Sequence, residues 1–305
     1  MSTLIEQAAE RLEQLRQAGV VLPEIDTPVH APAAQVAQVA AAPVPSAVST
    51  SRRVELDLDA IAAAGVVTPN APRSTVADQF RVIKRPLIAN AVGKGAATLT
   101  HGNLIMVTSA MAGEGKSFTS VNLAMSIAAE LDHTVMLVDA DVARPSVLRM
   151  LGLPAGPGLL DVLEGKADLA DTLLRTNVDK LTILPSGTPH GKATELLASD
   201  AMRKLLDDMA TRYSDRIIIF DSPPLLLTTE SRVLATNMGQ IVVVVAAGRT
   251  LQAAVQQALD TIEACPVRLL VLNKARSDSS AYGYGYGYGY GYGYGDTPTQ
   301  AAPES

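Results

Sequence analysis

A single cysteine, Cys265, stands in a chain of 305 residues. That excludes an intramolecular disulfide and any cysteine-only metal cluster, and it suits a reducing cytosol. A basic excess is also missing, since 25 Lys and Arg face 31 Asp and Glu for a net charge of −6. A general nucleic-acid binder shows a basic surface, so no nucleic-acid partner is expected. Long apolar runs are absent too. The longest, 241–247, is far short of the roughly 20 residues that a bilayer-spanning helix needs. Residues 1–16 mix charged and apolar side chains, unlike a secretory signal. These absences predict a cytoplasmic protein. The length is enough to bury a full core, so one large domain with extensions is expected. Tyrosine is nearly absent as well, until the end of the chain: Tyr213 is the only one before residue 282.

What is present falls into four parts. Residues 1–19 read as an amphipathic helix, with Leu4, Ile5, Ala8, Leu12 and Leu15 on one face and Glu6, Glu10, Glu13 and Arg16 around the rest. Residues 20–73 read as an Ala- and Pro-rich linker. Pro23, Pro28, Pro32, Pro43 and Pro45 break any periodicity, and a short helix is expected within 54–65. Residues 74–277 alternate short apolar strands (104–108, 134–138, 181–184, 216–220, 240–246, 267–272) with helical stretches at 117–131, 195–213 and 251–264. Continuously apolar, β-branched strands between helices indicate an α/β fold with a doubly wound parallel sheet covered on both faces. Residues 278–305 form a tail, expected to be disordered, that carries seven Tyr-Gly pairs.

One loop carries the strongest chemical signal. Ala110, Met111, Ala112, Gly113, Glu114, Gly115, Lys116 and Ser117 follow a strand and open a helix, the context of a phosphate-binding P-loop, or Walker A element. Gly113 and Gly115 let the backbone curl so that its N–H groups face phosphates. Lys116 is placed to reach the terminal phosphates, and the Ser117 hydroxyl to ligate magnesium. The expected nucleotide cradle is Ala112, Gly113, Glu114, Gly115, Lys116, Ser117 and Phe118. Asn273 and Lys274, just past the last strand, are candidates for the base. ATP and magnesium are the implied cofactors.

Two further strands end in acid. Residues 135–138 run into Asp139 and Asp141, a Walker A′ element, and 217–220 run into Asp221, a Walker B element. In a parallel sheet these ends lie along one edge beside the P-loop. Lys116, Asp139, Asp141 and Asp221 are therefore the catalytic candidates, with Ser117, Asp139 and Asp221 as the metal set. A tyrosine hydroxyl has a pKa of about 10 and needs a proton acceptor to attack phosphorus. Asp141 is the first candidate and Asp139 the second.

Together the motifs resemble the bacterial tyrosine kinases of the polysaccharide co-polymerase and capsular exopolysaccharide family. The resemblance spans about residues 76–295. It includes Gly158-Leu159-Leu160-Asp161, Glu195-Leu196-Leu197-Ala198-Ser199 and Asp221-Ser222-Pro223-Pro224 as well as the loop and acids above. The 80–88 stretch and residues 4–19 are most similar to the exosortase-associated autokinase branch. The resemblance implies autophosphorylation of Tyr282, Tyr284, Tyr286, Tyr288, Tyr290, Tyr292 and Tyr294. It also implies a ring-like homo-oligomer with one chain's tail in its neighbour's site, a membrane-embedded chain-length regulator as partner, a tyrosine phosphatase, and recruitment to the inner membrane. The family's oligomer motif, Glu-x-x-Arg-x-x-Arg, is matched here by Asp78, Arg81 and Lys84. Where the family often has arginine two residues after the second aspartate, this chain has Ala143, with Arg144 following.

The tail suits a substrate. From Lys274 to Tyr294 it extends to roughly 70 Å at about 3.5 Å per residue, so its own site and a neighbour's are both within reach. Two other readings share the loop. A partition or septum-positioning ATPase carries a signature lysine early in the P-loop, where this chain has Met111. An ATP-binding pseudoenzyme organising an exporter is opposed by intact Lys116, Ser117, Asp139, Asp141 and Asp221.

Overall fold

The computed structural model describes residues 51–69, 72–95, 98–212 and 216–275. The expected helix of residues 2–18, most of the linker, Tyr213 and the Tyr-Gly cluster lie outside the described residues. All described residues belong to the unit Val48–Ser305.

Among the described residues, eight strands make one sheet. They are β1 (Arg52–Arg53), β2 (Leu104–Ser109), β3 (Thr134–Asp139), β4 (Leu174–Arg175), β5 (Leu181–Leu184), β6 (Arg216–Asp221), β7 (Gln240–Ala246) and β8 (Val267–Asn273). Their spatial order is β1-β4-β5-β3-β6-β2-β7-β8, and every pairing is parallel except that of β4 with β5. The helices are α1 (Leu58–Ala63), α2 (Thr75–Ala91), α3 (Lys116–Ala128), α4 (Val147–Met150), α5 (Leu159–Leu163), α6 (Leu169–Thr172), α7 (Ala193–Leu197), α8 (Asp200–Arg212), α9 (Glu230–Ala235) and α10 (Gln252–Asp260).

Strand alternation splits the core between the two faces. Ile105, Val107, Leu137, Ile219 and Val242 pack on one side with Val121 and Ile127 of α3. Met106, Met136, Ile218, Phe220 and Val243 pack on the other with Leu206 and Met209 of α8. Both faces are covered, so these strands are apolar through their central positions and turn polar only at their ends. Each such side chain, fully buried, contributes roughly 1.5–3 kcal/mol. From β2 the chain crosses over β6 to reach β3, and from β6 it crosses over β2 to reach β7. Crossovers in opposite directions from neighbouring strands open a crevice at the C-terminal ends of β2 and β6, which is where ligands bind in open α/β sheets.

Three features depart from the sequence reading. Residues 52–68, expected as linker with a short helix within 54–65, do form that helix as α1 but also fold onto the domain: β1 pairs with β4, and Leu56, Ile61 and Val66 are buried in the core. Asn177 fixes this strap at Leu56, accepting its N–H at 2.9 Å and donating to its carbonyl at 3.0 Å. The helix expected at 195–213 is broken into α7 and α8, because Ser199 turns its hydroxyl to the N–H of Met202 at 3.2 Å and caps a new helix start. The third concerns Lys84. It shares the buried face of α2 with Ala77, Phe80 and Leu87. Its ammonium donates to the Ser126 carbonyl and pairs with Glu130 at 2.6 Å, leaving the residue 5% exposed. Lys84 therefore ties α2 to α3 within its own chain and is not a surface oligomer contact, whereas Asp78 and Arg81 are exposed and pair with each other one turn apart.

Candidate active site

The P-loop leaves β2 at the fully buried Ser109 and wraps into α3. Gly113 and Gly115 take φ of +80° and +102°, a region that disfavours any side chain. At Gly115 there is also no room, since a Cβ there would lie 2.1 Å from the Asn273 amide nitrogen. α3 opens without a side-chain cap, so its first N–H groups and the positive end of its dipole face outward at the loop's mouth.

Glu114, expected simply as part of the cradle, is 3% exposed and turned inward. Its carboxylate accepts the Met111 N–H at 2.6 Å and the Thr250 hydroxyl from the loop after β7. The loop is thus fastened to itself and to the neighbouring crossover. Asn273 and Lys274 brace it from β8. The Asn273 amide donates to the Glu114 carbonyl at 2.9 Å, and the Lys274 ammonium donates to the Gly113 carbonyl at 2.6 Å. Both residues, assigned from sequence to the nucleotide base, here hold the loop's shape.

The acids meet where the sheet register brings them. Asp139 and Asp221 end adjacent strands and are directly paired in register. Asp139 is pushed up to about 7, first by burial and then by the charge of Asp221, against the pull of N–H groups from Val147 and Ser146. Those two N–H groups reach one of its carboxylate oxygens at 3.0 Å each. Burial raises Asp221 as well, opposed chiefly by the Lys116 ammonium and by hydroxyls of Ser117 and Ser120. The Ser120 hydroxyl donates to Asp221 at 3.1 Å.

Lys116 bridges the group. Its ammonium lies 2.6 Å from Asp141 and 4.0 Å from Asp221. Asp141 also accepts the Arg144 N–H at 3.1 Å, while the Arg144 side chain itself is exposed. Two carboxylate oxygens in this small space, Asp139 Oδ1 and Asp221 Oδ2, are buried without a hydrogen-bond partner. Orphaned, buried oxygens beside a serine hydroxyl fit a hard cation such as magnesium, which takes oxygen ligands and keeps part of its water. Among the described residues no three of His, Cys, Asp or Glu converge as a complete metal cluster. Ser117, phosphate or water oxygens are needed to finish the shell.

Residues 100–273 match the family model described as ParA: NUBPL iron-transfer P-loop NTPase. The chain is 31% identical over 205 residues to the tyrosine-protein kinase YwqD of Bacillus subtilis, covering 67% of this chain and 83% of that one. The chain belongs to the bacterial tyrosine kinases. A second member, the tyrosine-protein kinase CpsD of Streptococcus agalactiae, is 33% identical over 186 residues, covering 60% of this chain and 80% of its own. The crystal structure of the VpsO kinase domain superposes with a TM-score of 0.53 at 27% identity, covering 67% of this chain and all of that domain (100%). In this tyrosine kinase, then, the P-loop, Lys116, Asp139, Asp141 and Asp221 are gathered by the fold. Sequence reasoning had no signal for Thr250, Ser120 and Asn177, whose partners lie 136, 101 and 121 residues away along the chain. Met111, at the place of the partition ATPases' signature lysine, sits on the loop's outer lip, 42% exposed. Among the described residues no helix is long and apolar enough to cross a membrane.

Proposed function

We propose that this chain is an ATP-dependent tyrosine autokinase that phosphorylates the cluster Tyr282, Tyr284, Tyr286, Tyr288, Tyr290, Tyr292 and Tyr294, and so regulates exopolysaccharide biosynthesis and export. The observation that carries the reading is the Lys116–Asp141 ion pair of 2.6 Å, set among buried carboxylates at the P-loop. A lysine held by an aspartate can exchange it for phosphate. When nucleotide enters, Lys116 turns to the β- and γ-phosphate oxygens and Asp141 is released as a proton acceptor. The phenol gives its proton to Asp141, and its oxygen bonds to the γ-phosphorus. The bond from that phosphorus to the β–γ bridging oxygen breaks, and ADP leaves with the electron pair. Magnesium held by Ser117, Asp139 and Asp221 would neutralise phosphate charge. Positioning and electrostatics supply most of the acceleration in such transfers.

One observation favours a second assignment of the base. Asp139, raised to about 7 in the metal-free site, has the better-matched proton affinity for work near neutral pH, and in that role it would stand outside the magnesium shell, leaving Ser117 and Asp221 to hold the metal. Asp141→Asn and Asp139→Asn, measured for nucleotide binding and for transfer, separate the two. The base variant should lose about 10²–10⁴-fold in transfer while keeping most of its nucleotide affinity.

The family likeness supports a wider setting: a homo-oligomer whose tails enter neighbouring sites, a membrane-embedded chain-length regulator that recruits the kinase to the inner membrane, and a tyrosine phosphatase that resets the tail. Asp78 and Arg81 remain the candidate contacts for assembly. The test of function is phosphate release from ATP, run beside an anti-phosphotyrosine blot, on the natural chain and on one with all tail tyrosines changed to phenylalanine. The kinase reading expects phosphotyrosine only in the natural chain. Steady phosphate release without phosphotyrosine from either chain would return the protein to the partition-type ATPases. Silence in both assays would make it a pseudoenzyme.

A further inference from the structure

At the sheet edge opposite the P-loop lies a second cleft, of about 580 Å³, with a basic lining. Arg53, Arg175, Lys180 and Arg216 line it with one carboxylate residue, Asp179, and with Thr134. Thr134 and Arg216 begin β3 and β6 and are paired in register. They are five residues upstream of Asp139 and Asp221, roughly 17 Å along the strands at about 3.3 Å per residue. The cleft is therefore separate from the catalytic edge.

Two features mark it as built for an anion. First, the register of β1 on β4 sets Arg53 directly beside Arg175. The Val54 N–H to the Arg175 carbonyl (2.8 Å) and the Asn177 clasp on Leu56 fix that register. Like charges opposed on neighbouring strands repel, and neither guanidinium has an ion-pair partner among the described residues. Both are exposed, so solvent screens most of that repulsion, and a bound oxyanion would turn what remains into attraction. Second, the Thr134 hydroxyl oxygen is buried with no hydrogen-bond partner. Lys180 is anchored by the Glu130 and Leu131 carbonyls at 2.6 and 2.5 Å, which holds its charge at the rim.

We infer that this cleft binds phosphotyrosine, and that its occupant is the phosphorylated tail of this chain or of another copy. The origin of the ligand rests on the kinase reading above; the cleft itself does not. Paired guanidiniums grip a phosphate dianion in a bidentate manner. A concave pocket admits a phosphorylated side chain, whereas the flat surface of a membrane meets projecting cations. Tail contour also permits it. The nineteen residues from Ala275 to Tyr294 extend to about 65 Å, and the arginine pair lies about six strand spacings, roughly 29 Å, across the sheet from β8 and roughly 23 Å back along the strands, within reach of the tail's distal tyrosines or of another copy's tail. The cleft would then hold the product tail away from the active site, where it no longer competes with unmodified tyrosines.

The test uses a synthetic, fluorescently labelled peptide of residues 281–295, with and without phosphate on Tyr284 and Tyr288, and the dephosphorylated full chain. Anisotropy should show binding of the phosphopeptide only. Arg53→Gln with Arg175→Gln should weaken it at least tenfold without changing ATP turnover. Asp179→Asn, at an exposed position, should tighten it severalfold, a gain that a misfolded variant cannot produce. Equal binding of both peptides, or phosphopeptide affinity indifferent to all three substitutions, would overturn the proposal. So would arginine-dependent sedimentation with anionic lipid vesicles in the absence of any phosphopeptide effect, which would make the cleft a membrane contact. Because the phosphate is supplied by synthesis, these outcomes are read independently of whether the chain is itself a kinase.

Discussion

At the residue scale the site's most telling property is a carboxyl whose proton affinity burial raises. Asp139 is raised from 3.8 to about 7, and Asp221 shifts in the same direction. A carboxyl whose folded pKa exceeds its unfolded one binds more protons in the native state. Its contribution to stability is therefore whole below about pH 4 and is lost as pH rises through 7, at up to about 1.4 kcal/mol per pH unit. Free of nucleotide and metal, the protein should be easier to unfold with denaturant at pH 8 than at pH 6. Asp139→Asn should flatten that difference, and an unchanged slope would remove Asp139 as its source. Asp161 works the other way. Burial raises it, but N–H groups from Thr188 and Gly158 outweigh that and hold it below the usual range. Its share is lost only in acid. The comparison of natural chain with variant isolates Asp139 from it.

A neighbouring residue makes a second prediction. Glu114→Ala frees the Met111 N–H and the Thr250 hydroxyl from their shared acceptor. Leaving such groups unsatisfied costs about 1–3 kcal/mol, and the loop loses its fastening. Thermal midpoint and nucleotide affinity should both fall, while Thr250→Val should lower them less. A nucleotide affinity equal to that of the natural chain would mean the loop holds its shape without Glu114.

At the element scale, what was legible in the sequence followed length and pattern. β2, β3, β6 and β7 each hold a run of four or more apolar residues, and the acids that end β3 and β6 announce the site. The P-loop carries its own grammar of glycine, lysine and serine. By contrast β1 and β4 are two residues each, too short to show any period, and the bond from Asn177 to Leu56 joins positions 121 apart. The strap was therefore read as linker. Lys84 was misread for a related reason. A charge in a motif suggests a surface, yet its place at i+4 from Phe80 and i−3 from Leu87 puts it on the buried stripe, where Ser126 and Glu130 satisfy it. The strap's energetic weight can be measured directly. Ile61→Ala, which removes a nearly fully buried side chain (4% exposed), should cost about 2–5 kcal/mol in denaturant unfolding. A cost under 0.5 kcal/mol would mean the strap adds nothing to the fold.

At the scale of the whole molecule, the sheet separates two edges. One gathers the P-loop with Asp139, Asp141 and Asp221, and the last strand, β8, ends there at Asn273, so the tail departs from the catalytic side. The other edge holds the basic cleft. The most direct measurement of the central claim is mass spectrometry of the purified chain, produced in a host without tyrosine kinases and incubated with ATP and magnesium. The natural chain should accumulate phosphates within residues 282–294, while Lys116→Met, with its fold verified, should carry none. Phosphotyrosine persisting in Lys116→Met, or an unmodified tail on a natural chain that turns over ATP, would contradict the account.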